Sequence, residues 1–332
     1  MVSPKTRDWK DLVSGSFRDL DDLLKYCKID LPNSGCKSKP EFTLRVTRYF
    51  ASLIEKGNPR DPLLLQVLPD ALESQLVQGY HEDAVGDRLS IAVPGLIHKY
   101  HGRVLMTLTG ACPIHCRYCF RQHFPYARNK PDCSASGEIM QYLSQNTSIK
   151  EVILSGGDPL MLSDRKLAGL ISSLNRIPHI NILRIHTRLL SVLPERVNAT
   201  FLETLRQFNG QLVFVTHINH PNEISAHNRA AFSLLFNQGY RLLNQSVLLK
   251  NVNNCPGVLA DLSERLFESR ITPYYLHRLD KVQGSAHFAL SLEDSCRIYE
   301  ELRKQLPGYL LPSFVQEIAG QASKTPVRCT DP

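Results

Sequence analysis

Apolar residues recur along the chain at two different periods, and the change between them falls near residue 103. Before it, Leu20, Leu23, Leu24 and Cys27 share one face of a helix expected over residues 18–28. Phe42, Leu44, Val46, Tyr49, Phe50 and Leu53 predict a second helix over 39–56. Gly57, Asn58 and Pro59 interrupt that pattern, and Pro59, Pro62 and Pro69 predict a long loop or surface-hugging extension. Beyond residue 103, short apolar runs suited to buried strands alternate with segments of helical period. The runs fall at 104–109, 152–155, 182–186, 212–216, 242–249 and 273–277, with helix candidates at 166–174, 202–208, 226–237 and 259–268. Six strand–helix units in succession predict an α/β fold with a mostly parallel sheet and right-handed crossovers. The pattern alone does not separate an open doubly wound sheet from a closed or partly closed barrel.

Reactive residues collect just after the strands. The first is followed by Cys112, Cys116 and Cys119, the second by Gly156, Gly157 and Asp158, the third by Arg188, and the fourth by His217 and His220. The fifth run contains Asn244, Gln245 and Ser246, and the sixth ends at His277 with Asp280 beyond. Parallel α/β folds place active sites at the carboxyl ends of their strands, so this clustering points to an enzyme.

Composition narrows the class. With 332 residues, 39 Lys+Arg, 32 Asp+Glu, a net charge of +7 and 42% hydrophobic residues, the chain is too apolar for disorder. No segment approaches the roughly 18 apolar residues of a membrane span, so no membrane partner is expected. The basic excess is spread along the chain, and no nucleic-acid partner is expected either. Lys5, Arg7 and Lys10 precede no apolar core, which predicts no secretory signal and a cytoplasmic location. In a reducing compartment the nine unevenly spaced cysteines predict metal ligation or catalysis rather than a disulfide framework.

Cys112, Cys116 and Cys119 form C-x3-C-x2-C. The spacing leaves three readings open: zinc with His115 or His123 as a fourth ligand, buried structural cysteines, or a 4Fe-4S cluster on three thiolates with one iron open to a small molecule. On its loop after the first strand of a six-unit α/β array, the run resembles the signature of the radical S-adenosylmethionine superfamily. That resemblance implies that S-adenosylmethionine chelates the open iron and is cleaved to methionine and a 5′-deoxyadenosyl radical. It also implies that Gly156, Gly157 and Asp158 lie near the methionyl amino group.

The resemblance sharpens through the segments 57–63, 93–100, 119–126, 219–223, 244–249 and 273–275, and extends from about residue 40 to about residue 327. Together they resemble lysine 2,3-aminomutase, and most closely the short form that makes β-lysine for modification of elongation factor P. The family resemblance implies a partial (β/α)6 barrel over 101–300, an N-terminal helical region over 1–100, and a C-terminal segment over 301–332 that crosses the barrel mouth. It implies pyridoxal 5′-phosphate on Lys324, which stands between Gly320 and Pro326. Lys99 and Arg103 fall where relatives contact the cofactor phosphate, with Lys99 replacing an arginine, and Gln245 lies in a matching cofactor-binding segment. The α-carboxylate of L-lysine would go to Arg121 and its ε-ammonium to Asp280 and Glu317, the latter replacing an aspartate of long forms. Gln122 interrupts a basic run of relatives. Cys255 matches a zinc ligand of long forms whose other ligands lie beyond residue 332, so no zinc is expected, and His217 and His220 read as active-site wall or satisfied polar residues and not as metal ligands. An electron donor such as flavodoxin or ferredoxin and a downstream β-lysine ligase pathway are the implied partners. Two other readings stand beside this one: an aminomutase for another amino acid such as glutamate, and a non-catalytic iron-sulfur or zinc scaffold.

Overall fold

Among the described residues, ten strands form one sheet in which each strand pairs with its neighbours in the chain. They are β1 (Ile91–Val93), β2 (Leu96–Tyr100), β3 (Arg103–Thr107), β4 (Glu151–Ser155), β5 (Ile182–Thr187), β6 (Gln211–His217), β7 (Arg241–Leu248), β8 (Thr272–Arg278), β9 (Ser313–Gln316) and β10 (Thr325–Pro326). The computed structural model describes residues 8–30, 42–134 and 136–329. β3 to β9 run parallel, while β1 and β2 at one end and β10 at the other are antiparallel to their neighbours. β1 and β10 are the two ends of the strand order, so the sheet does not close and the barrel is partial.

All six expected strands form within a residue or two of the sequence pattern. The crossover helices follow from their caps: Ser163 accepts from the Lys166 amide at 3.4 Å ahead of Asp164–Leu174, Asn198 from Phe201 at 2.9 Å ahead of Ala199–Leu205, and Ser225 caps Ala226–Phe236. Alternation along the strands then sorts their side chains. Val104, Met106, Val152, Leu154, Leu183, Ile185, Leu212 and Phe214 join Leu167, Leu170, Phe201 and Phe232 of the helices in one core. The intervening positions, which include Arg103, Ser155, Arg184, His186, His217, Gln245 and Tyr275, therefore line the concave inner face.

Between residues 8 and 73 the structure departs from the periodic reading. The first helix forms as Leu20–Cys27, capped by Asp19, and stops at Lys28, which adopts a left-handed conformation. The second shrinks to Arg48–Leu53, because Val46 bridges Phe17 and Thr47 takes the cap; residues 39–41 lie outside the described residues. Leu44, Val46 and Phe50 still enter one buried cluster, so their spacing reported burial and not helix. The proline-rich stretch is no surface extension. Pro62 starts a short helix, Pro62–Leu65, for which Asp61 accepts from the amides of Leu63 and Leu64 at 2.8 and 2.9 Å, and Leu63, Leu64, Gln66 and Val67 are fully buried.

Cys296 of helix Leu292–Gln305 and Cys329 of the C-terminal segment are disulfide-bonded, a pairing that their spacing had not suggested. No helix among the described residues is long and apolar enough to cross a membrane.

Candidate active site

Two glycines bring the loop after β4 against the cysteine loop. Gly156 has φ +126°, and a Cβ there would lie 2.5 Å from the carbonyl oxygen of Thr109; a Cβ on Gly157 would lie 2.4 Å from that of Ala111. The Gly157 amide donates to Thr109 at 2.6 Å and the Asp158 amide to Ala111 at 2.9 Å. Asp158 turns inward: its carboxylate accepts from the Thr187 hydroxyl and the amides of Leu160, Arg188 and Leu189. Burial raises its pKa to about 6 against those donors. Its side chain thus orders the loop, and the backbone of Gly156 and Gly157 is what remains beside the cysteines.

The cysteine loop is gripped by the N-terminal region. Ile114 belongs to the same buried cluster as Leu44, Phe50 and Leu63, and Cys116 packs against it. The Arg45 guanidinium donates to the Cys112 carbonyl at 2.9 Å, and the amides of His115 and Arg117 donate to the carbonyls of Arg45 and Gln66, each at 2.9 Å. Arg117, 1% exposed, pairs with Glu73 and donates to the Phe42 carbonyl at 2.8 Å. Burial raises the thiols of Cys112 and Cys119, the latter to about 11; Asp158 and Cys116 add to the first, and Cys116 adds to the second while Arg121 and Arg188 oppose it. Among the described residues no three His, Cys, Asp or Glu side chains converge on a single metal ion. Three soft sulfur donors spread along one pinned loop suit a multi-iron cluster better than one cation.

The remaining charges form a continuous chain. Lys324 Nζ lies 2.9 Å from Glu317 Oε2, and Glu317 Oε1 accepts from Tyr100 at 2.5 Å and lies 3.5 Å from Lys99 Nζ. Lys99 is also 2.6 Å from Asp87 Oδ1 and donates to the Val85 carbonyl at 2.7 Å. Asp87 Oδ2 accepts from Arg121 Nε at 2.6 Å, and Arg121 Nη1 donates to Ser155 at 2.9 Å. Burial would raise Asp87, but Arg121 and Lys99 outweigh it and hold the carboxyl below its usual range. For Glu317, burial is likewise outweighed, chiefly by Lys324.

The structure brings Lys324, Glu317, Lys99 and Arg121 into one network. Arg121 keeps one edge open, because Nη2 makes no hydrogen bond among the described residues. Lys99 is already engaged by the Val85 carbonyl, Asp87 and Glu317, so contact with a phosphate requires one of these to give way. Arg103 stacks over Tyr100, with its guanidinium 4.7 Å from the ring centre, and Tyr275 lies 6.0 Å beneath Lys324. Asp280 stands just past β8, half-buried, with no side-chain hydrogen bond among the described residues. Burial pushes it up to about 7, offset by Lys324 and reinforced by Glu317.

Sequence reasoning missed Asp87, which lies in a loop with no distinguishing motif; it placed Arg188 after the third expected strand but gave it no role. His217 and His220 are satisfied polar groups: His217 Nε2 lies 3.0 Å from the Tyr118 hydroxyl, and His220 accepts from the Asn222 amide at 3.1 Å. Burial lowers them to about 3 and about 4. Gln122 donates to the Gln283 carbonyl at 2.6 Å, and Cys255 is exposed ahead of helix Pro256–Glu268.

Residues 106–230 match the sequence model of the Radical SAM superfamily. The chain is 43% identical to the L-lysine 2,3-aminomutase of Escherichia coli (strain K12), over 98% of this chain and 96% of that protein. It is equally similar, with the same coverage, to the L-lysine 2,3-aminomutase of Haemophilus influenzae. The protein of the same name from Acetoanaerobium sticklandii is 35% identical over 96% of this chain and 78% of its own length.

Proposed function

Because this chain belongs to the L-lysine 2,3-aminomutase family of radical SAM enzymes, and is therefore an isomerase, we propose that it converts L-lysine to β-lysine by a radical 1,2-amino shift. The observation that carries the choice of substrate is the separation of charge across one network. Arg121 offers an open guanidinium edge at one end, while at the other Glu317 holds a carboxylate 2.9 Å from Lys324, whose charge also acts on Asp280. A diamino acid presents a carboxylate and a distal ammonium, which match those two poles. Glutamate would bring a second carboxylate to the acidic pole, which argues against that alternative.

Cys112, Cys116 and Cys119 would hold the 4Fe-4S cluster, the backbone of Gly156 and Gly157 would flank S-adenosylmethionine, and Lys324 would carry pyridoxal phosphate, with Arg103, Lys99 and Gln245 around it. When bound, these groups supply a hydrogen-abstracting radical and a π-system that stabilises the migrating nitrogen. The chain's own part is geometric. Asp87 and Ser155 fix the Arg121 plane, so a bound carboxylate is held in one orientation, and the acidic pole sets the distance to the ammonium. The Glu317 carboxylate, one methylene further out than an aspartate's, meets Lys324, Tyr100 and Lys99 at once.

The reading of the product as a supply for elongation factor P, through a downstream β-lysine ligase, and of flavodoxin or ferredoxin as electron donor, follows the resemblance to the short form. Reduced, reconstituted protein is incubated with L-lysine, S-adenosylmethionine and pyridoxal phosphate, and β-lysine is sought by chromatography. Cleavage of S-adenosylmethionine without β-lysine would refute the substrate. Failure to cleave it at all would leave the scaffold reading.

A further inference from the structure

Arg188 begins helix Leu189–Val192, immediately after β5, and is 6% exposed. Its Nη1 donates to Cys116 Sγ at 2.8 Å and also meets the Tyr118 hydroxyl. Nη2 donates to Gln66 Oε1 at 2.8 Å and lies 3.4 Å from Glu223 Oε2, and Nε is buried with no hydrogen-bond partner. Glu223 is fully buried; its Oε1 accepts from the amides of Asn219 and His220 at 2.9 and 3.1 Å, and from Gln66 at 3.2 Å. A sulfur, a cation and an anion thus stand in series, sealed by Gln66 and by Phe50, whose ring centre is 5.5 Å from the guanidinium.

A buried ion pair of this kind adds little net stability compared with apolar residues of the same volume. The contact with Cys116 gives it another consequence. We propose that Arg188 is a positioning residue that raises the reduction potential of the iron-sulfur cluster held by Cys112, Cys116 and Cys119, and that Glu223 is its attenuating counter-charge.

This rests on the cluster reading above. The step concerned is the transfer of one electron from an external low-potential carrier to the cluster. No bond forms or breaks in the protein and no proton moves; the cluster gains one negative charge. A guanidinium hydrogen-bonded to a cluster thiolate stabilises the more negative, reduced form more than the oxidised one, and enclosure strengthens that difference because water cannot screen it. Glu223 acts in the opposite sense and, through its contact with Nη2, helps to fix the plane of the guanidinium. Gln66 and Phe50 come from the N-terminal region, so that region shapes the electrostatics of the cluster as well as gripping its loop.

The test uses full-length protein reconstituted anaerobically, with iron content and visible absorption verified first in the unaltered chain, so that failure of the cluster reading shows itself separately. Midpoint potentials are then measured by electron paramagnetic resonance during titration with dithionite and mediators, without S-adenosylmethionine. Arg188→Gln is expected to lower the ratio of reduced to oxidised cluster about tenfold at fixed potential, a shift of about 59 mV to the negative side. Glu223→Gln is expected to shift the midpoint to the positive side. A purely structural role would reduce iron content in both variants without moving their potentials apart. Unchanged midpoints, or shifts of the same sign, overturn the proposal. Should Arg188→Gln fail to retain iron, the sign of the Glu223→Gln shift decides the matter alone.

Discussion

Lys324 and Glu317 face each other across the antiparallel pair β9–β10, with Nζ 2.9 Å from Oε2. The register causes this: Thr325 pairs with Gln316, so the residues one step outward are neighbours across the two strands. The segment reaches its place by turning back along β9, where the Val327 amide also donates to the Phe314 carbonyl at 3.0 Å. Lys324→Ala should abolish the borohydride-trapped pyridoxal adduct while leaving iron content unchanged, because Lys324 and the cysteine loop belong to separate segments. Mass spectrometry of the digested protein checks this, and an adduct on another lysine would count against the assignment.

Asp87 is the shared anion of Lys99 and Arg121, and both of its oxygens are engaged at 2.6 Å. Removing one partner of a buried pair typically costs about 3–5 kcal/mol. Asp87→Asn is expected to lower stability in urea by about 3 kcal/mol. It should also raise KM for lysine more than it lowers kcat, since Arg121 loses the contact that orients it. Unchanged KM would show that Arg121 does not bind the substrate carboxylate.

Asp280 makes stability depend on pH in the cofactor-free protein. Its folded pKa, about 7, lies above its ordinary value of 3.8, so between those limits the folded state holds a proton that the unfolded state has released. Stability should therefore fall as pH rises from about 4 to about 7 and level off above. Since Asp280 is half-buried, screening leaves an effect on the order of 1–3 kcal/mol. Asp280→Asn should flatten this segment of the profile and be the more stable protein at pH 8, as measured by urea titration across the range. Parallel profiles for the two proteins would contradict the assigned environment.

Arg117 ties the cysteine loop to the N-terminal region through Glu73 and Phe42. Arg117→Ala leaves Glu73 without its partner and should cost about 3 kcal/mol. Iron uptake on reconstitution should fall severalfold, with the far-ultraviolet circular dichroism of the barrel retained. Full iron uptake would mean that the loop holds its shape without this clamp.

The carbonyl oxygens of Thr109 and Ala111 occupy the space that Cβ atoms on Gly156 and Gly157 would need. In Gly157→Ala one backbone must give way, and the two loops should separate. Loss of S-adenosylmethionine binding in equilibrium dialysis, with the iron content kept, is the expected outcome. Normal binding would remove these glycines from the cofactor site.

Much of the barrel was legible along the chain because strands and crossover helices impose periods of two and of 3.6 on neighbouring residues. The C-x3-C-x2-C run, Gly156-Gly157 and the resemblance carried by short segments are equally local, and they pointed to the strand ends as the place for the chemistry before any packing was known. The same periodicity misled at Leu44 and Val46, where burial against Phe17 and Ile114 produced a helical spacing without a helix. Tertiary structure alone decided that Asp87 joins Lys99 to Arg121, that residues 42–73 grip the cysteine loop, and that Arg188 touches Cys116. Gln66 and Arg188 are 122 residues apart in the chain and 2.8 Å apart in the fold. Such contacts leave no period in the sequence, because their energy comes from burying charges against one another, and only the closed packing of distant segments brings those charges within reach.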